Sequence, residues 1–461
     1  MQASFDPWST ALVAADIALA AHARPVDLAD RRARRTAALL EAAIHRSPLY
    51  RHLLTGSADA PRLADMPVMR KAELMRCFDR WCTEPEVRLA DVRDFAADPA
   101  HVGKSFLDKY TVFESSGSSG EPGYFVQDAA AMAVYDSLEL LRKPDLQPWR
   151  RLLDPWGLGE KMVFVGATGG HFASTVSIER LRRLNPLLAG GLSCLSFLQP
   201  IDVLVRELDR IAPSVIATYP SAAVLLAGEF LAGRLHKAPR EIWTGGETLS
   251  PGMRKFIRDA FGCTVVNSYG TSEFLALACE CKHGALHLNS DWAILEPVDA
   301  DGNAVPPGTP GVTTLLTNLA NHVQPLIRYD IGDQVTLRPE ACPCGSPLPV
   351  LDVCGRCDET LSLLGEGGRR ISIVPLALTT VLEEQAGLFD FQLVQQGAGE
   401  LSLSTPERGS AATRRLHRAR DVLGEFLHEQ GALPVRIHCV SGRAPHRGRS
   451  GKLKRVVASA S

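Results

Sequence analysis

Between about Phe113 and Asn321, short apolar runs alternate with stretches whose apolar residues recur at helical spacing. Met162-Val-Phe-Val165 and Ser214-Val-Ile-Ala217 are runs of the first kind, and Met253, Phe256, Ile257 and Ala260 make a face of the second. This alternation predicts a layered α/β structure, with helices packed on a sheet of short buried strands. Ser250 and Pro251 mark one helix start, the serine as N-cap and the proline as first helical residue. The flanks differ. Residues 1 to about 100 read as mostly helical, over Arg34–Leu53 and Lys71–Trp81. Gly311 to Leu337, rich in Val, Thr and Leu with turn residues, predicts a small β subdomain. After Asp358 a smaller α/β module runs to Ser461, with a helix near Ala411–His428 and a strand near Val435–Val440.

A chain of 461 residues is long for one domain, and two or three are expected. Fifty Lys and Arg against 52 Asp and Glu leave no global charge that would favour nucleic acid. The apolar stretch Ala11–Ala21 is interrupted by Asp16 and lacks a basic start. It reads as an amphipathic helix, neither a signal peptide nor a membrane span, which makes the cytoplasm the expected compartment. Eleven cysteines without a secretion signal argue against a disulfide framework. Two pairs stand out, Cys279-Glu-Cys281 with His283 and His287 nearby, and Cys342-Pro-Cys344-Gly. Four ligands from these segments would make a closed tetrahedral Zn²⁺ site, against the competing reading of buried free thiols. Cys354 and Cys357 bracket Gly355-Arg356 and read as incidental.

Four segments carry the chemistry. Glu114-Ser-Ser-Gly-Ser-Ser-Gly-Glu-Pro-Gly123 can turn backbone amides toward an anion, with serine hydroxyls as further donors. It lacks the Gly-Lys-Ser/Thr of a Walker loop, and alone it could equally be a flexible surface loop. Trp243-Thr-Gly-Gly-Glu-Thr-Leu249 ends an apolar run ahead of a helix. Thr264-Val-Val-Asn-Ser-Tyr-Gly-Thr-Ser-Glu273 is a β-branched run that breaks into a turn bearing a tyrosine, hydroxyls and a carboxylate. Ile327-Arg-Tyr-Asp-Ile-Gly-Asp333 is followed by Gly355-Arg-Cys-Asp-Glu359, pairing carboxylates suited to ribose hydroxyls with arginines suited to phosphate or ribose.

In order and spacing these segments resemble the adenylate-forming superfamily of acyl-CoA synthetases, luciferases and peptide-synthetase adenylation domains. Ser47-Pro-Leu-Tyr-Arg51 and Pro67-Val-Met-Arg-Lys-Ala-Glu-Leu74 resemble its phenylacetate–CoA ligase branch, and Pro445-His-Arg-Gly-Arg-Ser-Gly-Lys-Leu-Lys-Arg455 resembles the superfamily's last motif. The resemblance implies a large adenylation domain over 1–357 and a small mobile α/β domain over 358–461, with a hinge at Asp358. It implies that Ser115, Ser116, Gly117, Ser118, Ser119 and Gly120 hold the β- and γ-phosphates of ATP. Glu273 would ligate Mg²⁺, Thr271 would contact the α-phosphate, and Tyr269 would stack on adenine beside Gly246, Glu247 and Gly270. Asp333 and Arg356 would hold the ribose, and Lys452 would bring positive charge to the reacting α-phosphate. His171, Phe172 and Tyr219 fall where relatives line the acyl pocket, and would suit a compact aromatic or unsaturated acid in a mostly apolar cleft. Relatives with Cys-x5-His followed by Cys-x-Cys-Gly point to Cys281, His287, Cys342 and Cys344 as Zn²⁺ ligands, with Cys279 in reserve.

The implied reaction is ATP-dependent activation of a carboxylic acid, aromatic by expectation, to an acyl-adenylate, then transfer to CoA. An amine, an alcohol or a carrier-protein thiol is the alternative acceptor, and a non-catalytic nucleotide-binding homologue is the alternative of another class. A dimer is compatible with the resemblance. Two departures bear on these expectations. Glu121 stands where many relatives carry lysine, and Leu361–Ile371 is richer in Gly and Arg than the usual strand and loop near the thiol tunnel.

Overall fold

The computed structural model describes residues 5–54, 62–115, 122–143, 160–197, 199–356, 361–365, 370–373, 375–445 and 454–458. Helices α1 (Pro7–Ala20) and α2 (Pro25–Arg46) both begin on proline, whose missing N–H is no loss in a first helical turn. α1 is the helix expected around Ala11–Ala21, but it is not amphipathic. Ile17 and Ala20 are buried while Trp8, Leu12 and Leu19 are exposed, so its apolar residues do not gather on one face. The single helix expected over Arg34–Leu53 is broken. Pro48 biases Ser47 to an extended backbone, α2 ends, and the Ser47 side chain caps a new short helix over Pro48–Leu53. Lys71–Trp81 also breaks, at Cys77, there without a proline or a side-chain cap. Among the described residues no helix is long and apolar enough to cross a membrane.

The hairpin of β1 (Thr111–Glu114) and β2 (Tyr124–Gln127) leads into α3 (Ala129–Leu141), capped by Asp128 accepting from the Ala131 N–H at 2.8 Å. Then comes the predicted alternation: β3 (Met162–Gly166), α4 (Ala173–Leu184), β4 (Leu192–Ser196), α5 (Ile201–Ile211), β5 (Val215–Thr218), α6 (Pro220–Leu231), β6 (Glu241–Thr244), α7 (Pro251–Phe261) and β7 (Thr264–Tyr269). All these strands pair in parallel, in the order β4-β3-β5-β6-β7. Val163, Val165, Ile216 and Ile242 pack under Leu204, Leu226 and Ile257 to make their core. Ser250 caps α7 as expected, accepting from the Met253 N–H at 3.1 Å.

At β7 the sheet changes character. β8 (Ala278–Glu280) and β9 (Leu286–Leu288) continue it antiparallel, while β10 (Ala293–Val298), β11 (Thr313–Asn318) and β12 (Tyr329–Asp330) form a separate three-stranded sheet. β13 (Asp333–Leu337) and β14 (Val350–Arg356) return to the large sheet as its far edge, giving nine strands in the order β13-β14-β9-β8-β7-β6-β5-β3-β4. The β subdomain expected over Gly311–Leu337 is thus divided between two sheets.

The C-terminal part has a core of its own. β15 (Leu361–Leu364) pairs with β16 (Arg370–Ile373), α8 (Pro375–Glu384) follows, and β17 (Gln392–Gly397), β18 (Glu400–Thr405), α9 (Ser410–Glu429), β19 (Arg436–Ser441) and β20 (Val456–Val457) complete a sheet of order β19-β18-β17-β20. Leu378, Leu382, Phe391, Leu401, Leu403, Leu416 and Leu423 fill it. The Gly- and Arg-rich stretch after residue 360 still supplies strand residues, with Leu361 and Leu363 fully buried.

This part meets α7 through a buried charge. Glu383 is fully buried and accepts from both the Ser250 hydroxyl and Arg455. Arg455 also donates to the Phe389 carbonyl at 2.8 Å and lies over the Phe391 ring, 4.2 Å from its centroid. Phe389 stacks on Phe256 of α7 at 5.2 Å. Removing one partner of a buried pair strands the other charge, at a cost of about 3–5 kcal/mol. Glu383→Ala is therefore expected to destabilise the protein by about 3 kcal/mol in urea unfolding. A loss well under 1 kcal/mol would mean that this junction is not formed in solution.

Candidate active site

Thr218, Thr244 and Tyr269 end β5, β6 and β7 on the same edge of the sheet, where parallel α/β sheets place ligands. A cavity of about 2130 Å³ opens there. Ordinary small-molecule pockets are about 300–1,000 Å³, so it has room for more than one ligand. Pro375, Thr379, Lys454 and Arg455 from the C-terminal part line it together with residues of the large sheet.

The turn after β7 is set by lack of space. A Cβ on residue 270 would lie 1.7 Å from the Leu275 carbonyl oxygen, so only glycine fits. The chain folds back at once, with the Thr271 N–H donating to the Phe274 carbonyl at 3.0 Å. The Phe274 N–H in turn donates to Thr271 Oγ1 at 3.2 Å. Glu273 is buried at the cavity wall. Its backbone carbonyl accepts from Asn318 Nδ2 at 2.8 Å, and its Oε1 accepts from the Tyr329 hydroxyl at 2.9 Å. At the end of β7 itself, the Tyr269 hydroxyl donates to Asp333 Oδ2 at 2.7 Å. Gly246, at φ +76°, and Glu247, whose Oε2 accepts from the Ser221 N–H at 3.1 Å, line the same cavity.

Tyr269, Gly270, Thr271, Glu273, Asp333, Gly246, Glu247 and Ser115 therefore come together around one cavity. Ser115 closes the neck of its loop, its N–H donating to the Gly123 carbonyl at 2.8 Å and its Oγ accepting from the Gly123 N–H at 2.7 Å. Ser116, Gly117, Ser118, Ser119, Gly120, Glu121, Asp358 and Lys452 lie outside the described residues, as does the Arg356 side chain. The Arg356 backbone pairs with Asp333 across β13 and β14. Arg328, in the same motif as Asp333, turns elsewhere, donating to the Met66 carbonyl at 3.0 Å and the Gly302 carbonyl at 3.3 Å.

Phe172 and Tyr219 line the cavity, and Phe164 meets Tyr219 edge-on at 6.3 Å. His171 does not line it. Its ring is fully buried with a centroid 5.4 Å from that of Phe95, and burial pushes its pKa below the ordinary histidine value. Nor is the wall as apolar as expected, since Asp136, Glu139 and Lys143 also line it. Sequence reasoning passed over these three, as well as Tyr329 and Asn318. Tyr329 sits inside the Ile327–Asp333 motif and could have been found there; Asn318 and Asp136 carry no local signal.

No family model matches the sequence. The phenylacetate-coenzyme A ligase of Thermus thermophilus is 26% identical over 457 residues, spanning 89% of this chain and 92% of that protein. A solved 2-hydroxyisobutyryl-CoA ligase in complex with 2-HIB-AMP shares the fold, with a TM-score of 0.66 and 20% identity over 92% of this chain and 88% of that one. Over nearly its whole length the chain is thus similar in sequence to a phenylacetate–coenzyme A ligase, and it shares the fold of a solved acyl-CoA ligase. Protein CapK of Staphylococcus aureus is 30% identical over 138 residues, 30% of this chain and 29% of its own length.

On the far edge of this adenylate-forming fold, four metal-ligand side chains converge. Cys281 follows β8, His287 lies in β9, and Cys342 and Cys344 lie between β13 and β14; their ligand atoms all fall within 4.8 Å of one another. Cys281 Sγ is 3.8 Å from Cys342 Sγ, and Cys344 Sγ is 3.3 Å from His287 Nε2. His287 Nδ1 sits 2.9 Å from the Leu348 carbonyl, which orients the ring for ligation through its other nitrogen. Cys279 is outside this group, buried, with its thiol pushed up to about 12 by burial.

Gly270→Ala must displace a backbone carbonyl, which places it at the upper end of the about 1–3 kcal/mol typical of overpacking. Thermal unfolding is expected to show this loss. An unchanged melting temperature would refute the close approach of Leu275.

Proposed function

We propose that the protein is an AMP-forming acid–CoA ligase. The observation that carries this reading is the convergence of Tyr269, Thr271, Glu273 and Asp333 on one cavity, held by the 2.7 Å Tyr269–Asp333 and 2.9 Å Tyr329–Glu273 hydrogen bonds. In the first step a carboxylate oxygen of the acid forms a bond to the α-phosphorus of ATP, and the bond to pyrophosphate breaks. In the second, the CoA thiolate attacks the acyl carbon and AMP leaves. Both steps depend on positioning and on charge placed where it develops.

Tyr269 offers its ring to adenine while Asp333 orients its hydroxyl and takes a ribose hydroxyl. The Thr271 Oγ1 accepts from a backbone N–H, which leaves its proton for an α-phosphate oxygen. Glu273, one oxygen already held by Tyr329, has the other for Mg²⁺, which when bound neutralises phosphate charge. The loop from Ser115 to Gly120 receives the β- and γ-phosphates. Residues 1–357 act as the adenylation domain and 358–461 as the mobile one, turning at Asp358 and carrying Lys452 to the reacting phosphate. Arg356 joins Asp333 at the ribose. Phe172 and Tyr219 line the acid's pocket. The compartment is the cytoplasm.

Cys281, His287, Cys342 and Cys344 are the donor set of a closed structural Zn²⁺ site, three sulfurs and one nitrogen with no open position. Purified protein is expected to carry one zinc per chain, and Cys344→Ser to lose most of it and melt at lower temperature. Zinc content unchanged by that substitution would defeat the assignment.

Acid-dependent ATP–pyrophosphate exchange tests the first step, and CoA-dependent AMP release the second. Lys452→Ala is expected to slow adenylation by about 100-fold or more while nucleotide still binds. Exchange without CoA-dependent release would move the acceptor to an amine, an alcohol or a carrier-protein thiol. Nucleotide binding without exchange for any acid would leave a non-catalytic homologue.

A further inference from the structure

The cavity continues along α3 beyond Tyr135. Asp136 and Glu139 of this helix and Lys143 just beyond its C-terminus, spaced three and four residues apart, all line it. A pocket built for a plain hydrocarbon acid would have apolar side chains there, because every charge so placed carries a desolvation cost. Here the charges are paired. Asp136 accepts from Arg180 of α4, and Glu139 pairs with Lys143. Lys143 also lies over the ring of Trp243, 4.1 Å from its centroid, and Trp243 lines the same cavity.

The Asp136–Arg180 pair is lopsided. The arginine side chain is 5% exposed and the aspartate 21%, so the cation is the hidden half and the carboxylate is the half that opens on the cavity. Burial pushes the Asp136 pKa up, and Arg180 pulls it back toward the ionised form. One turn before Arg180, Ser177 also lines the cavity, and its hydroxyl has no partner among the described residues. Each ion pair sums to zero charge, so this wall selects neither a cation nor a second anion. What it offers is a fixed row of acceptors, Asp136 foremost, held in place by buried or stacked cations.

Resting on the adenylation reading above, we propose that the Asp136–Arg180 pair is the specificity element for the acid. The substrate class is then a compact acid whose end remote from the carboxylate carries a neutral hydrogen-bond donor, a hydroxyl or an uncharged aryl amine. Asp136 accepts that donor's hydrogen, and Arg180 acts as a positioning residue by fixing the carboxylate through its hydrogen bond from α4. An acid lacking the donor would leave Asp136 desolvated and unpaired on that side, which is how sites built around hydrogen bonds reject smaller analogues.

The test is pyrophosphate exchange with matched acids, benzoate against hydroxy- and aminobenzoates and phenylacetate against its hydroxy and amino derivatives. In the full-length protein a donor-bearing member of a pair is expected to exceed its parent in kcat/KM by about tenfold or more. Asp136→Leu combined with Arg180→Leu removes both charges and strands neither, and is expected to collapse that ratio to near one or invert it. Asp136→Asn keeps the side chain's volume and is expected to cut the ratio severalfold, so the proposal stays exposed even if the double variant folds poorly. Because both acids are compared in one preparation, the ratio does not depend on the fraction folded. Parent acids used as well as their derivatives, or a ratio the variants leave unchanged, would overturn the specificity proposal while adenylation stands. Absence of exchange with every acid, with nucleotide still bound, would overturn the adenylation reading and this proposal with it.

Discussion

The close approach of the Leu275 carbonyl to Gly270 governs the chemistry-bearing end of the sheet. Because that oxygen occupies the space of a side chain, 1.7 Å from a Cβ position, β7 cannot run on and its chain reverses within a few residues. The reversal presents Thr271 and Glu273 at the end of the strand that also carries Tyr269. β7 is itself the seam of the sheet, parallel to β6 on one side and antiparallel to β8 on the other. The parallel half therefore brings the glycine-rich turn after β6 to the cavity, and the antiparallel half brings Asp333 at the start of β13, paired through its backbone with Arg356 at the end of β14.

A buried amide network then locks the β1–β2 hairpin to this turn. Asn318 Nδ2 donates to the Glu273 carbonyl and to the Tyr135 hydroxyl, both at 2.8 Å. Its Oδ1 accepts from the Ala320 N–H at 2.9 Å. Asn321 Nδ2 donates to the Val126 carbonyl at 2.9 Å, and Gln324 Oε1 accepts from the Val126 N–H at 2.6 Å. Two amide side chains, Asn321 and Gln324, thus do for β2 what a neighbouring strand would do, and Asn318 ties the same segment to the Glu273 turn. Fully satisfied buried networks of this kind specify one arrangement, since a lost partner leaves a polar group desolvated. The Ser115–Gly123 neck and the Glu273 carboxylate are in this way parts of a single rigid unit.

The α/β alternation was legible because period and composition are local properties. Met162–Val165 and Thr264–Tyr269 are strands, and Ser250-Pro251 starts a helix, as patterning alone implies. Helix ends were legible only where punctuation was noticed. Pro48 divides a run that periodicity treats as continuous, and α1 keeps its helix without the one-sided face assumed for it. The division of Gly311–Leu337 between two sheets could not be read, because strand partners are chosen by tertiary packing. At the site, motif order delivered Tyr269, Thr271, Glu273 and Asp333 together. It could not deliver Asp136 or Arg180, which are ordinary charged helix residues until α3 and α4 face each other. His171 fails for the opposite reason, since a residue beside a motif can point into the core and away from the cavity.

The clustered Cys281, His287, Cys342 and Cys344 lie at the outer edge of the large sheet. β9, β13 and β14 form the outer edge of the large sheet, and β14 meets β9 through only Val350–His287 and Leu351–Leu286 pairing. The connection from β13 to β14 carries Cys342 and Cys344, whereas Cys281 and His287 belong to the β8–β9 hairpin. A metal bound by all four would tie that connection to the hairpin and so fix the register of β13 against β14. Asp333 begins β13 and Arg356 ends β14, directly opposite each other in that register. An ion bound at the sheet's edge would therefore act on the Asp333 end of the cavity without touching it, by keeping the two strand ends that carry Asp333 and Arg356 in one frame.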